Sequence, residues 1–336
     1  MKQFSIRALS GCCLFLVLTQ LSFADAKSPK WAANSVEKAG PDYQIQGEYS
    51  GILGAGSGNE LKYGVQIIAL GDGQFEAVGY PGGLPGDGWT QEKKVSAKGV
   101  KDGEVISFKS EDGRGDLEAG KITIYDAEGN EAGVLSKVHR KSPTLGKSAP
   151  EGATVLFDSK NAKKTAKNFK NGRVTEEGLL MEGVTSKKKF KDGHLHLEFQ
   201  LPFMPQARGQ GRSNSGCYVL GRYEVQILDS FGLDGKDNEC GGIYKLGAPS
   251  VNMCFPPLAW QTYDIDFTSA KYDKEGKKTD NARITVKHNG VTIHDDRAIS
   301  EPTPGGTNKD ESAKGPLFLQ DHSNPVRFRN IWVKEK

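Results

Sequence analysis

An acid and an amide two residues apart are the first pair in this sequence that could do chemistry. Glu224 and Gln226 alternate with apolar residues in the run Tyr223–Leu228, and Asp229 follows. Successive side chains of a strand point to opposite faces, so the apolar residues can face a core while Glu224 and Gln226 face outward. Groups fixed on a rigid strand are well placed to bind or convert a polar ligand. A solvated strand face is the alternative interpretation.

A second alternating run carries imidazole and carboxylate groups. His194, His196 and Glu198 share one face of Phe190–Gln200, opposite two leucines and a phenylalanine. Imidazole and carboxylate together can bind a divalent metal ion. An ordinary wet strand face is again the alternative.

The element that must position Glu224 is predicted from its turn. Cys217–Leu220 and Tyr223–Leu228 flank Gly221-Arg222, a two-residue connection that indicates a tight hairpin. Cys217 has apolar neighbours and no charged partner nearby in sequence, so we interpret it as a buried small hydrophobe rather than a nucleophile.

The other two cysteines beyond the N-terminal segment predict a cross-link. In an oxidising compartment we expect a disulfide between Cys240 and Cys254. The loop it closes is modest, and the bridge would stabilise the fold by about 2–3 kcal/mol.

Residues 1–26 have the pattern of a secretory signal peptide. Lys2 and Arg7 accompany the apolar run Cys12–Leu18, which is too short to span a bilayer, and small residues stand at candidate cleavage positions. We therefore expect an exported protein, periplasmic or extracellular, without a membrane span after signal cleavage. A net charge of only +3, from 45 Lys+Arg against 42 Asp+Glu, argues against a nucleic-acid partner.

Short alternating runs separated by glycine-rich turns predict an all-β protein in two parts. Residues 42–140 indicate a small β-meander, residues 141–152 have the proline and glycine content of a linker, and residues 153–336 predict a jelly-roll β-sandwich of two stacked sheets. The candidate strands of the meander are Tyr43–Tyr49, Val65–Leu70, Gln74–Tyr80, Val105–Lys109, Lys121–Tyr125 and Gly133–Val138.

Motifs in a fixed order carry a resemblance to a known family. They are Asn214-Ser215-Gly216, Tyr223–Asp229, Trp260–Tyr263, Lys287–Gly290, Gly315–His322 and Val326–Ile331. The series resembles the 3-keto-disaccharide hydrolase domain family over about residues 153–336. The resemblance implies a concanavalin A-like lectin/glucanase fold and action on an oxidised, 3-keto oligosaccharide or glycoside.

A ketone at C3 of the sugar opens an elimination route. It acidifies the C2 proton, so a base can remove that proton, the aglycone leaves from C1, and water adds back across the double bond. The net result is hydrolysis. Such a site needs a base with a pKa near the working pH, a group that stabilises the enolate, and often an acid for the leaving group.

The resemblance also implies roles for residues in these motifs, and strand alternation adds candidates from the His/Glu strand. The expected catalytic residues are His322, Glu224 and Asp229, with His322 the first choice for the base. The expected sugar-binding residues are Gln226, Asn214, Gln320 and Glu198. A divalent metal ion is a further option rather than a required cofactor, and its candidate ligands are His322, Glu224 and His196.

Two other functions use the same fold. A two-acid glycosidase needs opposed carboxyl groups, and the Glu-x-Gln-x-x-Asp pattern departs from the Glu-x-Asp-x-x-Glu series of jelly-roll glucanases. A non-catalytic, lectin-like jelly roll that only binds glycans is the second alternative. A group that titrates near neutrality, such as His322, favours catalysis over binding alone.

Overall fold

A computed structural model describes residues 30–336 and shows an all-β chain, which confirms the predicted fold class. The predicted signal peptide, residues 1–26, lies outside the described residues. The helices are short: α1 (Val36–Ala39), α2 (Pro41–Ile45), α3 (Ala162–Thr165) and the 3-10 turns Ser159–Asn161, Ala166–Asn168 and Gly209–Gly211. Between residues 30 and 336, no helix has the length and apolar character needed to cross a bilayer.

Eight antiparallel strands close into a barrel in the first part of the chain. Each strand pairs with its neighbours in sequence, and β1 pairs with β8 to complete the ring. The strands are β1 (Gly47–Leu53), β2 (Leu61–Gly71), β3 (Gln74–Pro81), β4 (Val95–Asp102), β5 (Val105–Ser110), β6 (Gly113–Glu118), β7 (Lys121–Tyr125) and β8 (Glu131–Val138). Closure leaves no free edge, so every strand has two hydrogen-bonded neighbours.

The barrel differs from the predicted meander in three places. The sequence pattern misses β4 and β6; β6 has the composition Gly-Arg-Gly-Asp, which indicates a turn rather than a strand. Residues 43–45 belong to α2 instead of a strand, because Pro41 stands at the start of that helix, where its fixed φ and missing N–H are tolerated.

Two antiparallel sheets form the second part of the chain. The five-stranded sheet has the order β10-β12-β21-β14-β15, and the seven-stranded sheet has the order β11-β22-β13-β16-β19-β20 with β9 added beside β22. The strands are β9 (Thr154–Phe157), β10 (Phe169–Lys170), β11 (Leu180–Met181), β12 (Val184–Phe190), β13 (Gly193–Gln200), β14 (Ser215–Val219), β15 (Tyr223–Ile227), β16 (Trp260–Thr268), β17 (Lys271–Tyr272), β18 (Lys278–Asp280), β19 (Ala282–His288), β20 (Val291–Ile299), β21 (Gly315–Leu319) and β22 (Arg327–Glu335). β17 and β18 pair only with each other.

The facing sides of the two sheets share one apolar core. Leu197 and Tyr263 from the larger sheet pack in the same cluster as Val225 and Leu319 from the smaller one. Burying each such side chain stabilises the fold by about 1.5–3 kcal/mol. Side chains of each strand alternate between the two faces of its sheet, so the polar residues between the apolar ones lie on the outer faces. A ligand site can form there.

The barrel and the sandwich are packed against each other. Phe203 and Leu258, from loops of the sandwich, belong to the buried cluster that fills the barrel. Phe203 meets the Tyr43 ring edge-on at 5.4 Å, and its backbone exchanges hydrogen bonds of 3.0 and 2.8 Å with Ala33. Sandwich residues therefore close one end of the barrel.

Residues 141–152 lie against the outer face of the seven-stranded sheet. The Thr144 hydroxyl donates to Asp264 at 2.6 Å, the Gly146 N–H donates to Glu198 at 2.6 Å, and the Lys147 carbonyl accepts from the Trp332 indole at 3.2 Å. The segment has the composition of a linker, but its backbone and hydroxyl groups are bound to the sheet.

The predicted disulfide between Cys240 and Cys254 is wrong for this structure. Both residues, and Cys217, are free thiols in the described part of the chain, and all three are buried. The Cys240 sulfur lies 3.3 Å from the Tyr263 hydroxyl, and the Cys254 sulfur lies 3.6 Å from the Leu228 carbonyl. The two thiols adjoin each other in the core as hydrogen-bonded groups rather than as a cross-link.

A fragment that begins at Pro150 is expected to lose stability. It would expose the apolar Phe203 and Leu258 side chains and remove the hydrogen bonds that residues 142–147 make to the outer sheet. Each exposed apolar side chain costs about 1.5–3 kcal/mol. Urea denaturation of residues 150–336 should show a lower midpoint than residues 30–336 or no cooperative transition. Equal midpoints would show that the sandwich is independent of the barrel.

Candidate active site

An open cleft lies on the outer face of the five-stranded sheet, with a volume of about 110 Å³. Glu224 and Gln226 project into it from β15, and their neighbours in sequence, Tyr223 and Val225, face the core, as the alternation predicts. The residues that line the cleft are Gln210, Asn214, Tyr218, Glu224, Gln226, Tyr244, Pro304, Gly305, Gln320 and His322.

The β14–β15 hairpin builds the floor of the cleft. Its connection has three residues instead of the predicted two: Val219 pairs with Tyr223, and Leu220 and Gly221 adopt φ values of 55° and 67°. This register sets Tyr218 directly opposite Glu224. Opposed residues have Cβ atoms about 4.5–5.5 Å apart, so their side chains can bond across the pair.

Gly216 makes room for the Glu224 carboxyl group. A Cβ atom at residue 216 would lie 2.3 Å from Glu224 Oε1 and 2.8 Å from the Tyr218 ring. Its φ is an ordinary one, so the requirement for glycine here is the close approach of Glu224 rather than backbone conformation.

Two loops bury the floor of the cleft. The backbone N–H of Tyr244 donates to the Glu224 carbonyl at 3.2 Å, and Gly305 approaches the Tyr218 hydroxyl so closely that a Cβ there would stand 2.6 Å away. Glu224 is consequently only 2% exposed. Most of this side chain has exchanged water for protein neighbours, although it lines an open cleft.

Burial raises the pKa of the Glu224 carboxyl group to about 7, and the hydrogen bond from Tyr218 acts in the opposite direction. An isolated carboxylate loses hydration that one hydrogen bond replaces only in part. The cleft therefore holds a carboxyl group that can give or take a proton near neutral pH.

Tyr218 can accommodate both protonation states of Glu224. Its hydroxyl lies 2.7 Å from Glu224 Oε2 and 2.9 Å from the Pro304 carbonyl. With Glu224 ionised, the hydroxyl donates to the carboxylate. With Glu224 protonated, the hydroxyl can rotate to donate to Pro304 and accept from the acid. Burial and the Glu224 carboxylate raise the pKa of Tyr218, so the phenol itself stays protonated.

Amide side chains form much of the remaining wall. The Asn214 amide nitrogen donates to the Gln210 carbonyl at 2.8 Å and to its side-chain oxygen at 3.2 Å, which fixes the orientation of the Asn214 amide. Asn214 Oδ1 is buried without a hydrogen-bond partner. An orphaned acceptor in a cleft can accept from a ligand hydroxyl group. Gln320 Nε2 lies 3.3 Å from the Tyr218 hydroxyl.

His322 lies at the rim of the cleft, just after β21. Its side chain is exposed to solvent, in contrast to Glu224. The structure thus brings together Glu224, Gln226, Asn214, Gln320 and His322, and it assigns the buried position to the carboxyl group rather than to the imidazole.

Three of the predicted site residues lie outside the cleft. Asp229 follows β15 but points away and accepts from Arg212 Nε at 2.6 Å. Glu198 and His196 lie on the outer face of the other sheet; Glu198 accepts from Arg329 at 2.6 Å, and His196 bonds Asp264 at 2.8 Å. Strand parity places His196 and Glu198 on an outer face, but only the strand order shows that it is the opposite one.

The donor set of the cleft does not fit a divalent metal ion. Glu224 and His322 are the two metal-binding side chain types in its lining, and in residues 30–336 no group of three or more His, Cys, Asp or Glu side chains is arranged to hold an ion. His196, the third predicted ligand, lies on the other sheet. The remaining lining groups are neutral amides and phenols, which are weak ligands beside carboxylate and imidazole.

Tyr218, Tyr244 and Gln210 are the polar site residues that sequence reasoning missed, together with Pro304 and Gly305 of the cleft wall. Tyr218 was concealed by the hairpin register, because a two-residue turn would set Val219 opposite Glu224. Tyr244 and Gln210 lie outside regular strands, and no spacing rule connects them to β15. Tyr218 could have been predicted from its position two residues after Gly216, because alternate residues of a strand share one face.

The fold is a β-sandwich with a polar cleft on one outer face, and comparison with known proteins assigns it to the carbohydrate hydrolases. Residues 152–334 match the model of the 3-keto-alpha-glucoside-1,2-lyase-like domain family. The chain belongs to this family, which confirms the resemblance inferred from its motifs. The comparison with curated proteins gives no significant match.

Solved structures are similar to part of this chain. A provisionally assigned glycosyl hydrolase from Parabacteroides distasonis is 30% identical, with a TM-score of 0.50, and the match covers 56% of this chain and 86% of that one. A second such protein from the same organism is 19% identical with a TM-score of 0.38, over 55% of this chain and 99% of that one.

Replacing Glu224 by Gln is expected to change how stability depends on pH. A carboxyl group whose pKa rises from 4.5 to about 7 on folding binds its proton more tightly in the native state. Its contribution is fully present below pH 4.5 and is lost as the pH rises through 7. The parent should lose about 3 kcal/mol relative to Glu224→Gln between pH 4.5 and 8.

Urea denaturation at a series of pH values measures this difference. Glu301→Gln, at an exposed position, is the matched control and should follow the parent. If Glu224→Gln also follows the parent at every pH, the Glu224 carboxyl group is not held in a dehydrated state.

Proposed function

We propose that the cleft binds a 3-keto glycoside and cleaves its glycosidic bond by removal of the C2 proton, elimination and rehydration. One observation carries the proposal: the cleft contains a single carboxyl group, Glu224, whose pKa is about 7. A base that titrates near the working pH is what proton removal from an acidified carbon requires.

The lining of the cleft supports a neutral, hydroxyl-rich ligand. Among its side chains are four amides and two phenols, and the lining contains neither lysine nor arginine. Amides both donate and accept hydrogen bonds, so they suit sugar hydroxyl groups, whereas a phosphate or carboxylate ligand would call for cationic side chains. The unpaired Asn214 Oδ1 supplies an acceptor for one of those hydroxyl groups.

In the first step, the Glu224 carboxylate takes the proton from C2 of the sugar. The electron pair of the C2–H bond forms the C2=C3 bond, and the negative charge moves to the C3 oxygen. Donors at the cleft stabilise this enolate; Gln320 Nε2 and the Tyr244 hydroxyl group are the candidates. Tyr218 rotates its hydroxyl towards Pro304 as Glu224 becomes protonated.

In the second step, the C3 ketone re-forms, a C1=C2 bond forms and the bond from C1 to the aglycone oxygen breaks. The aglycone oxygen takes a proton, for which His322 at the rim is the donor. While the aglycone departs, Glu224 exchanges its proton with the solvent through the open cleft. Water then adds its hydroxyl group to C1 and gives its proton to His322, and Glu224 returns a solvent-derived proton to C2. The atoms added are those of one water molecule, so the overall reaction is a hydrolysis.

The cleft gives less support to a two-acid glycosidase. Retaining and inverting enzymes need two opposed carboxyl groups. The second acid that the sequence offered, Asp229, lies outside the cleft in a salt bridge to Arg212. An elimination needs a base and an acidic C2 proton. Glu224 supplies the base, and the C3 ketone of the substrate makes the C2 proton acidic.

We also propose that the protein is exported. The charged and apolar pattern of residues 1–26 supports this proposal by itself.

Replacement of Glu224 by Gln should lower the turnover of a 3-keto disaccharide by two to four orders of magnitude, the usual effect of losing a general base. His322→Ala should slow release of a sugar aglycone by about tenfold to a hundredfold, but barely affect a 4-nitrophenol aglycone, which leaves without an acid. His139→Ala, at an exposed barrel position, is the control.

Turnover in heavy water separates the mechanisms. Elimination and rehydration place one solvent deuterium at C2 of the released sugar, whereas direct hydrolysis leaves C2 unlabelled. A product without C2 deuterium would contradict the elimination. A parent protein that binds 3-keto sugars but never converts them would show that the cleft is lectin-like.

The pH profile of turnover should move when Tyr218 is replaced by Phe. For the parent, kcat/KM should fall about tenfold per pH unit below about pH 7, as Glu224 takes up its proton. The Tyr218 hydrogen bond lowers the Glu224 pKa, so its removal raises that pKa and shifts the acid limb to higher pH.

Tyr244→Phe is the matched control, because Tyr244 contacts Glu224 through its backbone N–H. It should leave the midpoint of the acid limb in place. An unchanged midpoint in Tyr218→Phe would mean that Glu224 is not the group that titrates.

A further inference from the structure

The eight-stranded barrel contains a cavity at one end. Alternate residues of each strand point inward, and one end of the barrel, called here the lower end, is filled by large side chains such as Phe75 and Leu135. The sandwich residues Phe203 and Leu258 close that lower end, where α2 also docks, since Asp42 accepts from the Gly73 N–H at 3.2 Å in the β2–β3 turn. The other end is not filled in this way.

Small residues on facing strands leave the upper end hollow. Ala77 on β3, Ala97 on β4 and Gly115 on β6 are small residues in its lining, and Gly79 on β3 makes room for the Tyr63 side chain. The cavity volume is about 90 Å³. Eight strands enclose an interior that side chains can just fill or that holds one small ligand, and this barrel is filled at one end only.

The walls of the cavity are hydrocarbon. Its larger apolar side chains are Val65, Ile67, Val95, Phe108, Ile122 and Ile124. Such walls favour an apolar ring over a polar one. A sugar does not suit them, because each of its hydroxyl groups would be buried without a hydrogen bond, which is unfavourable.

The rim of the cavity is polar, and each charged side chain in it has an oppositely charged neighbour, although Arg114 Nε makes no hydrogen bond. Asp112 accepts from Lys93 at 2.9 Å, and the Arg114 guanidinium lies over the Tyr125 ring at 4.3 Å and 3.0 Å from Asp116. A charged ligand would have to displace these contacts. A neutral one would leave them in place.

Hydroxyl groups are the polar groups available inside the rim. Tyr63 reaches across β3: a Cβ atom at Gly79 would lie 2.4 Å from the Tyr63 hydroxyl oxygen, so the glycine leaves room for that hydroxyl. Ser110 lines the same rim, and its hydroxyl is 3.4 Å from the Gly113 carbonyl, which is a weak bond. Either hydroxyl can pair with a single hydroxyl group on a ligand.

We propose that the open end of the barrel is a binding site for a small neutral aromatic alcohol, with its ring between Ala77, Ala97 and Phe108 and its hydroxyl group at Tyr63. The cavity is open at its rim, so one ring can enter with part of it at the mouth, and one hydroxyl group finds a partner there. This site is separate from the cleft on the sandwich, and it stands whether or not the proposed reaction is correct.

Titration of the protein with phenol tests the proposal. Saturable binding is expected with a Kd on the order of 1 mM, since a ligand of so few atoms gains limited free energy. The methyl groups of Val65, Ile122 and Ile124 should show the largest NMR shifts. Inositol, a ring of similar size with many hydroxyl groups, should produce none of these shifts.

Ala97→Leu fills the cavity and should weaken phenol binding by at least about tenfold. Ser96→Leu, on the neighbouring outward-facing position, is the matched control and should keep the parent affinity. Turnover of a 3-keto glycoside should be the same in all three proteins, because neither position lies in the cleft.

If Ala97→Leu does not fold, the phenol-induced NMR shifts of the parent protein test the proposal by themselves. No saturation up to about 20 mM phenol, a Kd too weak for a built site, would overturn the proposal. Shifts that map to the sandwich instead of the barrel would also overturn it, and so would equal affinities in Ala97→Leu and Ser96→Leu.

Discussion

The candidate site depends on the removal of water from one carboxyl group. Glu224 is buried at the floor of a cleft with one phenol as its direct side-chain partner, and this combination brings its pKa to about 7. Gly216 beneath it and the Pro304–Gly305 loop above it are required for that burial. Ionisation of the buried Glu224 lowers the stability of the fold, so the site keeps its reactive carboxylate at a cost in folding free energy.

On the outer face of the seven-stranded sheet, the pKa of a buried carboxyl group is shifted in the opposite direction. Burial would raise the pKa of Glu198, but hydrogen bonds from His196, Asn330, Arg329 and the Gly146 N–H lower it to about 2. A carboxylate with this many donors stays ionised and holds the 141–152 segment in place. The two outer faces therefore hold different kinds of carboxyl group. Glu198 has many hydrogen-bond partners and is structural, whereas Glu224 has few and is the reactive group.

The barrel and the sandwich form a single packed body although their functions can differ. Phe203 and Leu258 fill the barrel from the sandwich side, and Arg140, just after β8, bonds Glu48 within the barrel and lies over the Phe255 ring of the sandwich. Such shared contacts couple the stability of the two parts. They leave the open end of the barrel and the sandwich cleft free to bind different molecules.

The sequence by itself determined the fold class, the motifs of the family and the outward direction of Glu224 and Gln226, since strand alternation and local spacing are properties of neighbouring residues. It could not determine which outer face His196 and Glu198 share, because strand order is set by pairings between residues far apart in the chain. Tertiary structure alone placed Asp229 against Arg212, kept Cys240 and Cys254 as separate thiols, and closed the barrel through β4 and β6. It also decided that Glu224 rather than His322 is the dehydrated group, because burial depends on loops at residues 241–244 and 303–305 that no local pattern connects to β15.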